Sequence, residues 1–508
     1  MQLPLLDVVV LIVYVLGSVA FGCWFVVRSR DPEGFTSAKG RIPSLVVALS
    51  LFGTYISSIS FLGYAGMAYI GNWNTFTLSL TLPLVAWIGA KWFVPFYRNC
   101  GTVSTYCHLE ERFGLWCRLY ATVCYLLTQI ARMGTVMFLL AIPLRHLLGW
   151  DMVTIILVTG LLTTFYSTLG GIEGVVWTDA FQSAVLICAT VLCVVLIPFL
   201  LPEGPGQLFK IALENKKFSL GTLSSDLSQS TFWVVLIYGI TINLQNFGID
   251  QNFVQRYLTA RSEQDAKKSL WISCLTTIPM NACFFFIGTA LFAYYTVRPE
   301  LLSPELTQEI AKGNGDGVFP YFIVHGLPTG ITGLVIAALF AAAMSTISTS
   351  LNGCATLTLT DFYRRFWRPQ ASAKEEMVVL YSTTVLWGVL GMAAAIAMLH
   401  AKNILDVWWT ISGIVSGGML GLFLLGFLSR KSSNTAALLG TLAGIAVILW
   451  MTLSLPALNF WPESLVAYGS PFHRFLIPVV GTVTILLVGF LATLVVPQRR
   501  ASEPLNDN

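Results

Sequence analysis

The sequence predicts an all-α membrane protein that crosses the bilayer many times. Two observations carry this. Of 508 residues, 56% are hydrophobic and 11% charged, against about 25% charged in a soluble chain, so too little polar surface exists to face water. Apolar runs of about 20 residues, the length a helix needs to span hydrocarbon, recur along the whole chain, and the mean hydropathy is +0.74. Thirteen spans can be drawn, near 5–27, 43–69, 75–97, 119–148, 151–169, 179–201, 231–256, 270–296, 318–358, 378–400, 403–429, 433–454 and 473–496. The first is long enough to cross and no small-residue cleavage site follows it, so it reads as a helix, not a signal peptide. The ninth is too long for one simple crossing and should include a loop-borne or re-entrant piece.

Placement of Lys and Arg orients such a chain. With the N-terminus outside and the C-terminus in the cytoplasm, 19 of the 29 Lys and Arg fall on the cytoplasmic side. No stretch between spans exceeds about 30 residues, a nucleotide-binding domain has no room, and GxxxxGK[ST] is absent, which argues against ATP-driven pumping. Nothing points to nucleic acid. The ten cysteines lack CxxC or Cys/His spacing and read as small buried hydrophobes.

The second span contains Gly53-Thr54-Tyr55-Ile56-Ser57-Ser58-Ile59-Ser60. Glycine with β-branched and hydroxyl residues forms a continuous helix poorly, and hydroxyls can replace backbone hydrogen bonds where a helix unwinds. Unwound helices at the bilayer midplane are how secondary transporters free carbonyls for cations. Close packing of small residues explains the same composition equally well. The ninth span contributes "AAAMSTISTSLNG", residues 341–353. At 100° per residue, Ala342, Ser345, Thr346 and Thr349 share one face, with Ser348 beside Ser345 on its edge. An uncharged, all-oxygen cluster suits a hard monovalent cation and fits transition metals badly. Sodium is the natural guest; a Ser/Thr packing face is the alternative.

Charges at membrane depth come next. Arg132 stands in "LLTQIARMGTVMFLLAIPL", where an arginine costs about 2.5–3.5 kcal/mol on insertion scales and usually faces a functional interior. Asp179 opens the sixth span, as a helix N-cap or as a functional carboxylate. Asp250 and Arg256, in "NFGIDQNFVQRYL", read as a structural or gating ion pair. No span brings together a nucleophile, a base and an orienting group, so an enzyme is not expected.

The segments "YSTLGGIEGVVWTDAFQ", "DQNFVQRYL", "FAAAMSTISTSLNGCATLTLTDFYRR", "WTISGIVSGGMLGLFLLGFLSRK" and "TYCHLEERFG" resemble signatures of the sodium:solute symporter family, in order, over about residues 5–450. The resemblance implies a LeuT-type fold working by alternating access. An extra helix at 5–27 would precede two inverted five-helix repeats, 43–201 and 231–429. Two C-terminal helices, 433–496, and a short tail, 497–508, would follow. It implies a main sodium site from Gly53 and Ile56 with Ala342, Ser345 and Thr346, although Gly53 stands where alanine is common and Thr346 where serine is common. It implies a second sodium site from Asp179, Ser345, Ser348 and Thr349.

Within the family, Arg132 with "TYISSIS" is similar to the bacterial sialic acid symporters. There an arginine holds the substrate carboxylate, which here would bring in Tyr55, Ser57, Ser60, Phe76 and Ser79. Tyr55, at a position often threonine, and Ser79 depart from that pattern. The expected protein is a monomeric sodium symporter of the cell's inner membrane that takes up a small organic anion, sialic acid first. Sodium is its coupling ion, and it has no cofactor. Another carboxylate or sugar acid, an amino acid such as proline, and a transporter-like sensor are the alternatives.

Overall fold

The computed structural model describes residues 4–399, 418–429, 431–455 and 467–495. Within them the chain is helical, with a single isolated bridge between Ile42 and Ala260 as its β character. Among the described residues, ten helices are long and apolar enough to cross a membrane, or 11 when one bent pair counts as a span.

The first helix, α1 (Leu5–Cys23), buries Asp7, Leu11, Tyr14, Ser18 and Gly22. These lie three or four residues apart and so form one stripe. Leu5, Leu6, Val9, Ile12, Val13 and Leu16 are exposed on the opposite side. A polar stripe inward and an apolar one outward is the pattern of a helix whose solvent is lipid.

The next span is broken, as its composition allowed. Helix α2 (Ser44–Tyr55) ends where Ile56 turns extended, at φ −85° and ψ 124°, and α3 (Ser58–Ile70) resumes at a bend of 54°. The Ser57 hydroxyl caps the new helix by accepting from the Ser60 amide at 3.4 Å. Then come α4 (Asn74–Asn99), in which Lys91 lies over the rings of Trp87 and Trp92, and α5 (Leu115–Leu148), which carries Arg132.

Helix α6 (Met152–Phe199) corrects two expected boundaries. Its 48 residues would reach about 72 Å if straight, more than twice the roughly 30 Å hydrocarbon layer. It is broken at Gly171, whose φ of 54° and ψ of −158° are non-helical. A side chain is excluded there by backbone strain and by Phe35, 2.9 Å from where a Cβ would stand. The helix after the break therefore begins near residue 172, not at 179. Asp179 is two turns inside it, fully buried, and is no helix cap.

The span expected at 231–256 is also two helices, α7 (Phe232–Ile249) and α8 (Gln251–Thr259). Asp250 is the break, at φ −78° and ψ 127°, and its carboxylate caps α8 through the Asn252 amide at 2.8 Å. Helix α9 (Glu263–Val297) follows. The over-long ninth span resolves into a short helix, Val318–His325, and the crossing helix α10 (Ile331–Leu357). Three more long helices follow among the described residues, α11 (Ala373–Met398), α12 (Asn434–Leu453) and α13 (Ile477–Val495). Of the expected span 403–429 only Gly418–Leu428 is a described helix; residues 403–417 and the tail 497–508 lie outside the described residues.

Helix α10 is the axis of the molecule. Every residue from Val335 to Leu357 is buried, because alanine, serine and glycine let neighbouring backbones approach closely; α6, α1, α5 and α11 pack around it. Asp7 fixes its start. One carboxylate oxygen of Asp7 accepts from the amides of Gly330 and Gly333 at 2.7 Å each, satisfying donors that a helix N-terminus leaves free and meeting its positive end.

Candidate functional site

The break between α2 and α3 meets the middle of α10. Gly53, Ile56, Ala342 and Ser345 line one small hollow, together with Gln182 and Ser183 of α6. Among the described residues no backbone amide donates to the carbonyls of Gly53 or Ile56, which is what unwinding leaves behind. The Thr346 hydroxyl donates to the Ala342 carbonyl at 3.0 Å, and its lone pairs stay available to a cation. The Ser345 hydroxyl is buried and reaches toward the Asp179 carboxylate without a well-formed hydrogen bond. A dehydrated sodium ion needs such a set: several neutral oxygens, already free of competing donors.

Glycine at position 53 has a local cause. A Cβ there would sit 2.7 Å from the Ser183 hydroxyl and 3.1 Å from that of Ser345. Ser183 is held in that place by donating to the Leu49 carbonyl at 2.8 Å. The space an alanine methyl would take is filled by a hydroxyl from α6.

Asp179 stands beside this hollow, one helical turn before Gln182. Its partner is Arg256 of α8, at 2.7 Å, both side chains essentially buried. The expected Asp250–Arg256 pair is thereby corrected: Asp250 is spent on its cap, and the turn of α8 carries Arg256 away from it toward α6. The guanidinium also donates to the hydroxyls of Ser50 and Thr349 and to the Asn252 carbonyl. Ser50 in turn donates to Asp179 at 2.8 Å. Removing two charges from water costs several kcal/mol per ion, and good geometry with further hydrogen bonds offsets it; this pair has both. One carboxylate oxygen takes Arg256, Ser50 and Thr349, while the other is buried without a partner. The expected second sodium residues are thus brought together, two of them already engaged by an arginine: Asp179 and Thr349 bond Arg256, and Ser348 donates to the Ser345 carbonyl at 3.1 Å.

Arg132 lies where the two broken helices converge. It donates to the Thr54 carbonyl at 2.8 Å, at the first break. Gln129, one turn earlier on α5, accepts from Asn252 just past the second break, at 3.2 Å. Asp250 is the acidic group whose field reaches Arg132 most strongly. Among the described residues, no carboxylate comes within 4.0 Å of the guanidinium.

The other expected substrate residues divide. Ser57 is at the break, as a cap. Ser60 lies against Tyr64, whose ring stacks on Phe285, and Phe76 meets Phe285 edge-on. Tyr55 is tied to α7 through Asn243 at 2.9 Å and stacks on Phe247. Ser79 accepts from Asn281 of α9 at 2.8 Å. No hydrogen bond among the described residues joins Phe76 or Ser79 to Arg132. Sequence reasoning missed Ser50 and Gln182, which carry no charge and no motif, and Asp7, a formal charge in the first span that was open to view.

The sodium:solute symporter profile matches residues 35–444. The chain belongs to the sodium:solute symporter family. Among its relatives, the sodium/sialic acid symporter NanT of Aliivibrio fischeri is 33% identical over 96% of this chain and 92% of its own length. SiaT of Proteus mirabilis, another sodium/sialic acid symporter, is 31% identical over 97% and 96%. Human sodium-coupled monocarboxylate transporter 1 is 29% identical over 83% and 68%. A solved Na+-coupled sialic acid symporter, substrate-bound and outward-open with a novel Na+ site, superposes with a TM-score of 0.88 at 29% identity, over 98% of this chain and all of that one. The nucleobase-cation-symport transporter Mhp1, closed and holding bromovinylhydantoin, superposes at 0.57 with 16% identity, a likeness of fold alone. This symporter is a multi-pass, all-helical carrier, not an enzyme, and Na+ is its coupling ion.

Proposed function

We propose that the symporter uses the inward sodium gradient to import a small organic anion, sialic acid first, and that Arg132 captures the substrate carboxylate. One observation carries this reading: a guanidinium at membrane depth, at the junction of two helix breaks, without a carboxylate in ion-pairing range among the described residues. A planar fork of N–H donors suits bidentate capture of a carboxylate, and a lysine cannot copy it. The sialic acid relatives, matched nearly end to end, favour that acid. Tyr55 tied to Asn243 and Ser79 tied to Asn281 favour a second reading, a smaller carboxylate, since a bulky ring and an occupied hydroxyl leave less for a sugar to bind.

Gly53, Ile56, Ala342, Ser345 and Thr346 would hold the main sodium ion, and Asp179, Ser345, Ser348 and Thr349 a second. Two ions per monoanionic substrate move one net positive charge per cycle, worth about 2.3 kcal/mol per 100 mV. A thirteen-span count would need the break at Gly171 to separate two spans. The inverted repeats 43–201 and 231–429 fit the twin breaks, since each repeat would begin with a helix interrupted by extended backbone, at Ile56 and Ser57 in one and at Asp250 in the other. An external N-terminus, a cytoplasmic C-terminus, residence in the inner membrane and a monomeric state complete the proposal.

The test is counterflow in proteoliposomes, with labelled sialic acid and a panel of small carboxylates. Arg132→Ala abolishes saturable uptake, and Arg132→Lys restores little. An amide analogue that competes as well as the acid overturns carboxylate capture. A sodium Hill coefficient of one, with uptake indifferent to an imposed potential, removes the second sodium.

A further inference from the structure

The hollow at the main sodium site has a wall that none of the expected ligands supplies. Gln182 lines it beside Gly53, Ile56 and Ser345, and its side chain is 1% exposed. Neither its amide oxygen nor its amide nitrogen has a well-formed hydrogen bond among the described residues. A buried amide left without well-formed hydrogen bonds is costly, so two such atoms beside a cation site call for a ligand.

Gln182 does not stand alone. Behind it are the hydroxyls of Tyr14 and Ser18, from the buried stripe of α1, and that of Tyr166. The hydroxyls of Tyr14 and Ser18 are likewise buried, and they approach each other and Gln182 without well-formed hydrogen bonds. Tyr166 reaches Ser348, one of the second-site residues, and donates weakly to the Met344 carbonyl at 3.4 Å. The unpartnered oxygen of Asp179 is one turn earlier on the face of α6 that carries Gln182. These groups are uncharged, apart from Asp179, and rich in oxygen. They extend from the main hollow toward the second set.

We propose that Gln182 is a further sodium-handling residue, the shared wall of the two sodium sites, and that Tyr14 and Ser18 of the first helix position it. Its amide oxygen faces a sodium ion in the main hollow, and the hydroxyls behind it stand in for hydration on the side toward Asp179. This gives α1, which lies outside the proposed repeats, a part in cation handling. The inference rests on the two-sodium reading above.

The experiment measures sodium-dependent thermal stabilisation of the purified full-length protein, without organic substrate, in wild type, Gln182→Leu, Gln182→Glu and Tyr14→Phe. Gln182→Leu keeps the volume and removes the oxygen; the half-saturating sodium concentration should rise at least tenfold. Gln182→Glu keeps an oxygen and adds charge; the concentration should fall below wild type. Tyr14→Phe should raise it two- to fivefold, with the melting temperature in saturating sodium unchanged. Wild-type sodium dependence in both Gln182 variants overturns the proposal. Should Gln182→Leu fail to fold, an unaltered Gln182→Glu suffices to overturn it. A wild-type Hill coefficient of one defeats the second sodium site by itself, whatever the Gln182 variants do, so the two failures are distinguishable.

Discussion

Two helix breaks face Arg132, and they are built from opposite chemistry. The first, at Ile56 and Ser57, is neutral: Gly53 and Ile56 line a hollow with α10, and the Ser57 hydroxyl caps the helix that follows. The second, at Asp250, is charged: an aspartate caps the new helix, and Arg256 locks it to α6 through Asp179. A break proposed to receive an ion and release it needs only weak neutral ligands; one that holds two helices in register needs strong bonds. The difference teaches that similar backbone interruptions can serve binding in one place and anchoring in another.

Disturbing the anchor should do most damage. Arg256→Ala leaves Asp179 buried and unpaired, and loss of one partner of a buried pair typically costs 3–5 kcal/mol. The expected outcome is a poorly folded protein, read as loss of the monodisperse peak in size-exclusion chromatography. Arg256→Met with Asp179→Leu removes both charges and should recover most of the folded yield without sodium-driven uptake. If Arg256→Ala folds normally, the second break is no anchor.

Disturbing the neutral break should spare the fold and weaken the ion. Ser345→Ala removes one ligand, and half-maximal sodium for uptake should rise at least about tenfold, equivalent to about 1.4 kcal/mol, in protein that still purifies intact. Unchanged sodium dependence would reduce Ser345 to a packing residue.

The contrast also explains what could be read in advance. The neutral break was legible because its signal is local: glycine and hydroxyls in one window of eight residues. So was the hydroxyl face of α10, set by helical period alone, and so was Arg132, an isolated charge in a greasy run. The anchor was not. Arg256 and Asp179 are 77 positions apart, and Asp250 six residues away was the nearer candidate. Asp179 looked like the start of a span because "LGGIEG" does not say which glycine breaks the helix; the backbone at Gly171 does. Gln182 has no charge to draw attention, and its importance comes from what surrounds it.

A finer test asks whether the neutral break is sculpted to the ångström. Gly53→Ala puts a methyl 2.7 Å from the Ser183 hydroxyl; overpacking of this kind costs about 1–3 kcal/mol. Sodium affinity should fall several-fold, and adding Ser183→Gly should restore it. Absence of rescue in the double variant would mean that glycine is there for backbone freedom.

The smallest effect lies at the far end of α3, beyond the first break. Lys217 is buried there, its ammonium donating to the carbonyls of Tyr69 and Gly71 at 2.6 and 3.1 Å and lying 3.6 Å from the centre of the Phe292 ring. Burial holds its pKa down to about 8, below the ordinary 10.5. In that interval the unfolded chain keeps a proton that the folded one has released, so folding stability rises with pH. Against Lys217→Met, wild type should gain melting temperature between pH 8 and 10.5 and show a flat difference below pH 7. A difference that falls across the interval would reverse the sign and show that the charged form is the one the fold prefers.

Asp7 has a consequence for how the molecule is made. Its carboxylate enters the membrane with the first helix, yet the amides that satisfy it are those of Gly330 and Gly333, 323 and 326 positions later. At roughly 5–20 residues per second of synthesis, those amides emerge about 15 to 65 seconds after Asp7 does. For that time the newborn helix carries an acid in lipid with nothing to cap. It has to wait at the translocation machinery or at the bilayer edge, and it docks only after more than half of the chain has been threaded past it. Helix α1 then takes its final place only after the start of α10 has been made.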